Sequence, residues 1–238
     1  MTRMKSVLAV LLLLPLSALA GNLTVGSGSS FDLGTGRLDL GCADLDVIGT
    51  MSSGTIGFIQ GRDVTITPSG VMNGNSATLQ LSGDWDNTGS FVAGTSSVQI
   101  TDGCGLLSGV MNGNTSFNNL SLSSASGKQV TFTAGSTQTV NGSFAVAGAL
   151  GNQLKIRSNV GGTKAFVNVQ GSSLATCVDV QDNSALPGNN IAMDGCSIKG
   201  PNSPGWLLSP SIPLLPPLAA LLAGAALIAS ARRRMLPA

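Results

Sequence analysis

The sequence predicts an all-β protein wound as a right-handed parallel β-helix, a solenoid of stacked coils, and three features of its middle part carry that expectation. Hydrophobic residues between positions 21 and 205 come in short bursts, and no stretch there keeps the i, i+3, i+4 spacing of an amphipathic helix over three turns. The bursts are separated by Gly, Ser, Asn and Asp, the residues that turn a chain. A six-residue motif also recurs: Val71-Met72-Asn73-Gly74-Asn75-Ser76 returns as Val110-Met111-Asn112-Gly113-Asn114-Thr115, 39 residues later. That offset suits two coils of about twenty residues each.

Strands are expected at 23–25, 37–40, 44–48, 63–66, 78–81 and 97–101, and then at 120–122, 129–132, 137–140, 143–146, 153–156 and 166–169. Within them apolar and polar residues alternate, as in Val130-Thr131-Phe132-Thr133, so one face points inward and the other carries hydroxyls. A single coil cannot bury its apolar face, so stacking must supply the core through ladders of Val, Leu, Ile and Phe. Gly and Asn at the corners supply the positive φ that tight turns need. Stacking also brings equivalent positions to about 4.8 Å, where like charges repel; only 10% of the chain is charged. A β-sandwich is the alternative, and it would show longer, more evenly spaced strands.

Two terminal segments flank this region. Met1-Thr2-Arg3-Met4-Lys5, the apolar run from Val7 to Leu16 and the small-x-small site Ala18-Leu19-Ala20 are the three parts of a secretory signal, so the mature chain is expected to begin at Gly21. At the other end, residues 214–231 are almost wholly Leu, Ala, Ile and Gly, about 27 Å as a helix and close to the thickness of a bilayer core. Arg232, Arg233 and Arg234 follow as a membrane stop and stay on the cytoplasmic side. The organisation expected is a signal peptide at 1–20, a β-helix domain at 21–206, and a linker, transmembrane segment and basic tail at 207–238.

With the ends set aside, seven Lys and Arg face eleven acids, all of them Asp, for a domain charge of 7 − 11 = −4. Such a surface is a poor nucleic-acid binder, and no nucleic acid is expected as a partner. Four cysteines in an exported chain favour disulfides. Cys177 and Cys196 lie about one coil apart and are expected to pair, leaving Cys42 for Cys104; four free thiols are the alternative.

The chain has no histidine, which excludes a Ser-His-Asp triad, a Cys-His dyad and any His-bearing metal site. It also has no Glu, so a glycosidase pair would need two aspartates. Asp84 and Asp86 are the obvious pair, but two positions apart they read as turn-formers. Asp84-Trp85-Asp86-Asn87 offers oxygen ligands for calcium, yet it lacks the glycine and closing Glu of a calcium loop and also reads as a turn. Trp85 could stack on a sugar, although core packing is the preferred reading. A β-helix polysaccharide lyase could draw on Asp179, Asp182, Lys155 and Arg157. The sequons at Asn22, Asn114, Asn119 and Asn141 are read as chance in a chain rich in Asn, Ser and Thr. Neither a cofactor nor a metal is expected.

Two resemblances add to this reading. Ile212-Pro213-Leu214-Leu215, the apolar run behind it and the terminal arginines resemble the IPTL type of C-terminal sorting signal of Gram-negative bacteria, with Leu214 where that family prefers threonine. The resemblance implies recognition by a membrane sorting peptidase; a permanent membrane anchor is the alternative. Residues 80–206, with Gly83-Asp84-Trp85-Asp86-Asn87-Thr88-Gly89-Ser90-Phe91, Phe117-Asn118-Asn119-Leu120 and the closing Pro204-Gly205-Trp206, resemble bacterial adhesin-like surface proteins built as parallel β-helices. That implies a non-catalytic, surface-displayed protein whose partners are the membrane, the sorting peptidase and a surface polysaccharide or a host or matrix ligand. The alternative function is a β-helix carbohydrate-active enzyme such as a polysaccharide lyase.

Overall fold

The structure, a computed structural model, describes residues 21–209. The expected leader (1–20), the sorting motif Ile212–Leu215 and the stop Arg232–Arg234 lie outside the described residues. The described chain is all strand and turn, and every pairing between its strands is parallel. It is a β-solenoid of about eight coils with three strands in each.

The first strands of successive coils build one nine-stranded face, running from Leu23–Val25 to Ile198–Lys199. The third strands build another nine-stranded face, from Arg37–Asp39 to Trp206–Leu208, so the last strand extends past residue 206. The second strands form two separate four-stranded sheets. Ser30–Asp32 to Ser90–Val92 make one and Thr115–Phe117 to Asn183–Ser184 the other.

Inside, period-two alternation turns sequence into ladders. Leu23, Leu45, Val64, Trp85, Met111 and Phe132 are stacked in register on the first face. Phe58, Leu79, Val98, Leu120 and Phe144 do the same on the third. From Leu45 onward these side chains are fully buried or nearly so, and each contributes about 1.5–3 kcal/mol relative to exposure. Where the second face changes sheets, Trp85, Phe91 and Phe117 fill the break, with ring centroids 5.0–5.8 Å apart. The indole Nε1 of Trp85 and Nδ2 of Asn87 both donate to Thr115 Oγ1 at 3.1 Å, so the polar atoms buried with the cluster are satisfied.

The repeated motif behaves differently from the expectation. Val71–Asn73 is a strand of the second face, whereas Val110 to Asn112 lie in Ser108–Asn112 on the first. The 39-residue offset is therefore not a two-coil period. Measured along the first face, coils run from 19 residues, Leu45 to Val64, to 26, Trp85 to Met111; along the third they run from 15, Ile191 to Trp206, to 29, Phe144 to Ser173. The motif encodes a smaller unit, a short strand with its Met inward followed by a corner, and any face can host it. The corners are built differently too: Asn75 takes the positive φ in one copy (52°), Gly113 in the other (78°). A Cβ on Gly113 would run into the carbonyl oxygen of Asn87 in the coil below.

Both expected cystines are present. Cys177–Cys196 joins adjacent corners, with Cα atoms 4.7 Å apart. Cys42 and Cys104 sit at corresponding corners three coils apart, a rise of about 14 Å at the usual strand spacing, yet their Cα atoms are 5.5 Å apart. Segment 101–107 closes that gap by folding back across the intervening corners. Its Leu106 lies against Gly83, and Cys104 Sγ comes to 4.0 Å from Gly61 O.

Candidate functional site

On the outer side of the first face, the N-terminal coils stack aspartates. Asp44, Asp63 and Asp84 precede successive strands, and each lends its carbonyl to the coil below: Leu23 N–H donates to Asp44 O, Leu45 N–H to Asp63 O, Val64 N–H to Asp84 O. Beside them runs a second row, Thr24, Asp46, Thr65, Asp86 and Asn112. The side chains tie coil to coil. Asp63 Oδ1 accepts from Asp84 N–H at 2.7 Å, Asp84 Oδ1 from Val110 N–H at 2.8 Å, and Asp86 Oδ1 from Asn112 Nδ2 at 2.8 Å. Asp44 takes the Nε and Nη2 hydrogens of Arg62 together.

The electrostatics follow from these partners. The Arg62 hydrogen bonds hold the Asp44 carboxyl below the usual carboxylate range. Partial burial pushes Asp63 upward, and the like charges of Asp84 and Asp44 add to it. Asp86 is not a turn-former, whereas Asp84 stands at the corner that leads into the strand. Asp86 lies in the strand Trp85–Asn87 and Asp84 directly precedes it after the bend at 82–83; alternation sets both on the outer side, while Trp85 between them is fully buried core. The sequence did carry a signal for this ladder, because Asp44, Asp63 and Asp84 recur at 19 and 21 residues, the lengths of the coils they belong to.

Lys128 was not singled out by sequence reasoning. Its side chain is fully buried, and its Nζ donates to Ser82 O at 2.6 Å, Leu106 O at 2.7 Å and Ser108 O at 3.5 Å. Burial pushes its pKa down, against the pull of Asp102, Asp84 and Asp63. The ammonium thus pins the folded-back 101–107 segment to the corner beneath it. Asp102, at the base of that segment, accepts the backbone N–H groups of Ala125 and Ser126. Burial opposes its ionisation, but these bonds and those of the Ser124 and Ser126 side chains outweigh it and lower its pKa.

Of the four residues a lyase could have used, three come together. Lys155 and Arg157 are outer residues of Leu154–Ser158, and Asp179 pairs in register with Lys155 on the next coil. Arg157 is committed there: Nη2 meets Asp179 Oδ2 at 2.5 Å, and Nη1 donates to the Asp179 and Ile156 carbonyls. Asp182 stands at the following corner, accepting from Gly162 N–H, Asn202 Nδ2 and Gln181 Nε2, with the Asn202 bond the leading cause of its lowered pKa. Cys177, Asp194 and Cys196 also meet closely enough for a metal, but both sulfurs are joined in the cystine, and Asp194 bonds Ser197 Oγ and Cys177 N–H.

The two ends of the solenoid differ. At the C-terminal end Trp206 is fully buried, packed edge-on to Phe144 and bonded through Nε1 to Asn183 Oδ1. At the N-terminal end no coil of the described residues lies beneath the first: Leu23, Leu33 and Leu38 are only partly covered and Phe31 is 36% exposed. A cavity of about 630 Å³ opens there, lined by Leu23, Leu38, Leu40 and Ala43 and also by Arg37 and Asp39. No protein-family model, curated protein or solved structure matches the chain.

Proposed function

We propose that the chain is a non-catalytic, adhesin-like protein of the bacterial cell envelope, exported through its leader and then sorted or anchored through residues 207–238. The observation that carries this reading is the use made of the charged side chains suited to chemistry. Arg157 is bonded to Asp179, Lys128 to three carbonyls, and Asp63 and Asp84 to the backbone of the next coil. The lyase alternative would need Arg157 released from Asp179. Two cystines suit an oxidising compartment outside the cytoplasm. The winding is taken as right-handed, the hand nearly all parallel crossovers adopt.

In this reading Ile212-Pro213-Leu214-Leu215 is the sorting motif, residues 214–231 halt in the inner membrane, and Arg232, Arg233 and Arg234 hold the tail on the cytoplasmic side. The sorting peptidase acts on that intermediate, and the released solenoid presents its faces to a surface polysaccharide or a host or matrix ligand. Deletion of residues 212–238 tests the first step: the truncated chain is expected in the periplasm or medium, starting at Gly21, with both cystines formed. Continued fractionation with membranes would refute the tail's role. Neutral replacements of the three arginines are expected to weaken retention and leave the fold unchanged.

A further inference from the structure

We infer that the open N-terminal end is a self-association surface, closed by the same end of a second copy in a head-to-head twofold dimer. The edge strand of the third face, Arg37–Asp39, pairs with Gly57–Gly61 on one side and, among the described residues, with nothing on the other. Leu40 N–H already donates to Ile59 O on the paired side. Alternate residues of a parallel strand face the same neighbour, so Leu38 bonds inward as Leu40 does, and the N–H and C=O groups of Arg37 and Asp39 turn to the free edge. Those four groups are what an antiparallel neighbour needs.

The sequence of the edge matches itself. A twofold axis at Leu38 sets Arg37 opposite Asp39 of the second copy and Asp39 opposite its Arg37, each as a pair exchanging two backbone hydrogen bonds. Directly opposite side chains then lie about 5 Å apart at Cβ, where opposite charges attract and like charges repel. Both side chains are exposed, and neither has an ion-pair partner among the described residues. Leu38 meets Leu38 at the centre, over the cavity whose walls are Leu23, Leu40 and Ala43. Charge on an edge strand usually keeps other strands away; here the two signs are spaced so that only the antiparallel copy is accepted. A head-to-tail stack would set Arg37 and Asp39 against Trp206 and Leu208, leaving both charges unmatched, and Trp206 already closes that end.

The test is charge reversal followed by charge swap in the full chain, purified from membranes in detergent, with mass measured by sedimentation over a range of concentrations. Wild type is expected to dimerise. Arg37→Asp is expected to weaken association by about tenfold or more, because each dimer contains the pair twice. The double variant Arg37→Asp/Asp39→Arg is expected to restore it, since the opposite signs face each other again. Asp39→Arg, alone or within the swap, also loses the Asp39 Oδ1 bond to Gly41 N–H, so the mass of the swap is read only with an unchanged unfolding midpoint, and Arg37→Asp, which keeps that bond, is read beside it. A monomeric wild type overturns the inference, as does a monomeric chain retaining residues 1–20, whose own leader would then cover the end. A dimer indifferent to Arg37→Asp joins through another surface and overturns it too. So does an open-ended series of oligomers, or a folded swap variant that stays monomeric.

Discussion

The link from Cys42 to Cys104 should carry more of the stability than its single covalent bond suggests, and removing it should open one end of the protein first. The double variant Cys42→Ser/Cys104→Ser keeps size and polarity close while freeing the folded-back segment 101–107. The bridge closes a loop with a sequence separation of 62 residues, for which the loss of loop-closure entropy in the unfolded chain corresponds to about 4 kcal/mol. The same relation gives about 3 kcal/mol for Cys177–Cys196, whose separation is 19. The longer bridge is therefore expected to matter more in equilibrium unfolding by urea under non-reducing conditions. Location distinguishes this from a uniform loss. Among the described residues the first coil is stacked on one side only, and in a solenoid each coil is stabilised by its neighbours. The first-coil amides that bond to the second coil, those of Leu23, Leu33 and Leu40, should lose exchange protection before the amides of Ile191–Met193 change. A cost below about 1 kcal/mol, far under the loop-closure estimate, would refute the reasoning; so would protection lost evenly along all coils.

Replacing Lys128 with Met should cost about 1–3 kcal/mol, because the carbonyls of Ser82 and Leu106 are left buried or half-buried without their donor; a variant as stable as wild type in urea would show that the ammonium's burial cancels its bonds. Asp63→Asn should stabilise the protein at neutral pH, since Asn Oδ1 can still accept from Asp84 N–H while the charge disfavoured by burial and by Asp84 and Asp44 is gone. The lost Arg62 contact, 3.4 Å and largely exposed, is worth little. The sign follows from the raised folded pKa of Asp63: the ionised form weakens the fold above that pKa, and acidification through it removes the penalty. The advantage of Asp63→Asn should therefore shrink as the pH falls toward and below the raised value, as urea midpoints across that range would show. Asp44, with its pKa lowered by Arg62, works in the opposite sense and loses its contribution as pH falls below the ordinary carboxylate range. An Asp63→Asn variant weaker than wild type at neutral pH would refute this account.

The strands that were legible in the sequence are those whose alternation is long enough to read. Thr78–Leu81, Gln129–Phe132 and Thr137–Val140 lie where alternation places them. Missed strands such as Ser30–Asp32 and Thr50–Ser52 have three residues with a single inward side chain, and a period of two needs more than one apolar residue to declare itself. Coil length was legible only on average, because segments such as 101–107 and the turn bridged by Ala149 and Asn152 lengthen some coils without disturbing the ladders. The cysteine pairing was legible for opposite reasons. Cys177 and Cys196 are one coil apart and must come close, whereas Cys42 and Cys104 followed by elimination and meet only because 101–107 turns back across three corners. Lys128 could not have been found from pattern at all. A lone lysine before a strand reads as surface, and its burial is created by carbonyls that arrive from residues 82 and 106.

These contacts share a direction, along the stack and not around the coil. Asp63 and Asp84 reach up one coil, Arg62 and Arg157 each bind a carboxylate on a neighbouring coil, Lys128 holds a segment returning from the coil before it, and the cystines span one corner and three. The reason is geometric. Backbone hydrogen bonds already join every coil to the next, but they repeat identically and would permit a slip of register by two residues. A side chain bonded to one particular atom on the next coil does not permit it. In a chain with no helix among its described residues, few large aromatics and coils of unequal length, those few charged residues are what distinguish one stacking register from another. Arg37 and Asp39 belong to the same class of residue at the N-terminal end, where no further coil stacks among the described residues. Their charges stand ready for the register of an antiparallel copy, and the charge-swap experiment decides whether that copy is present.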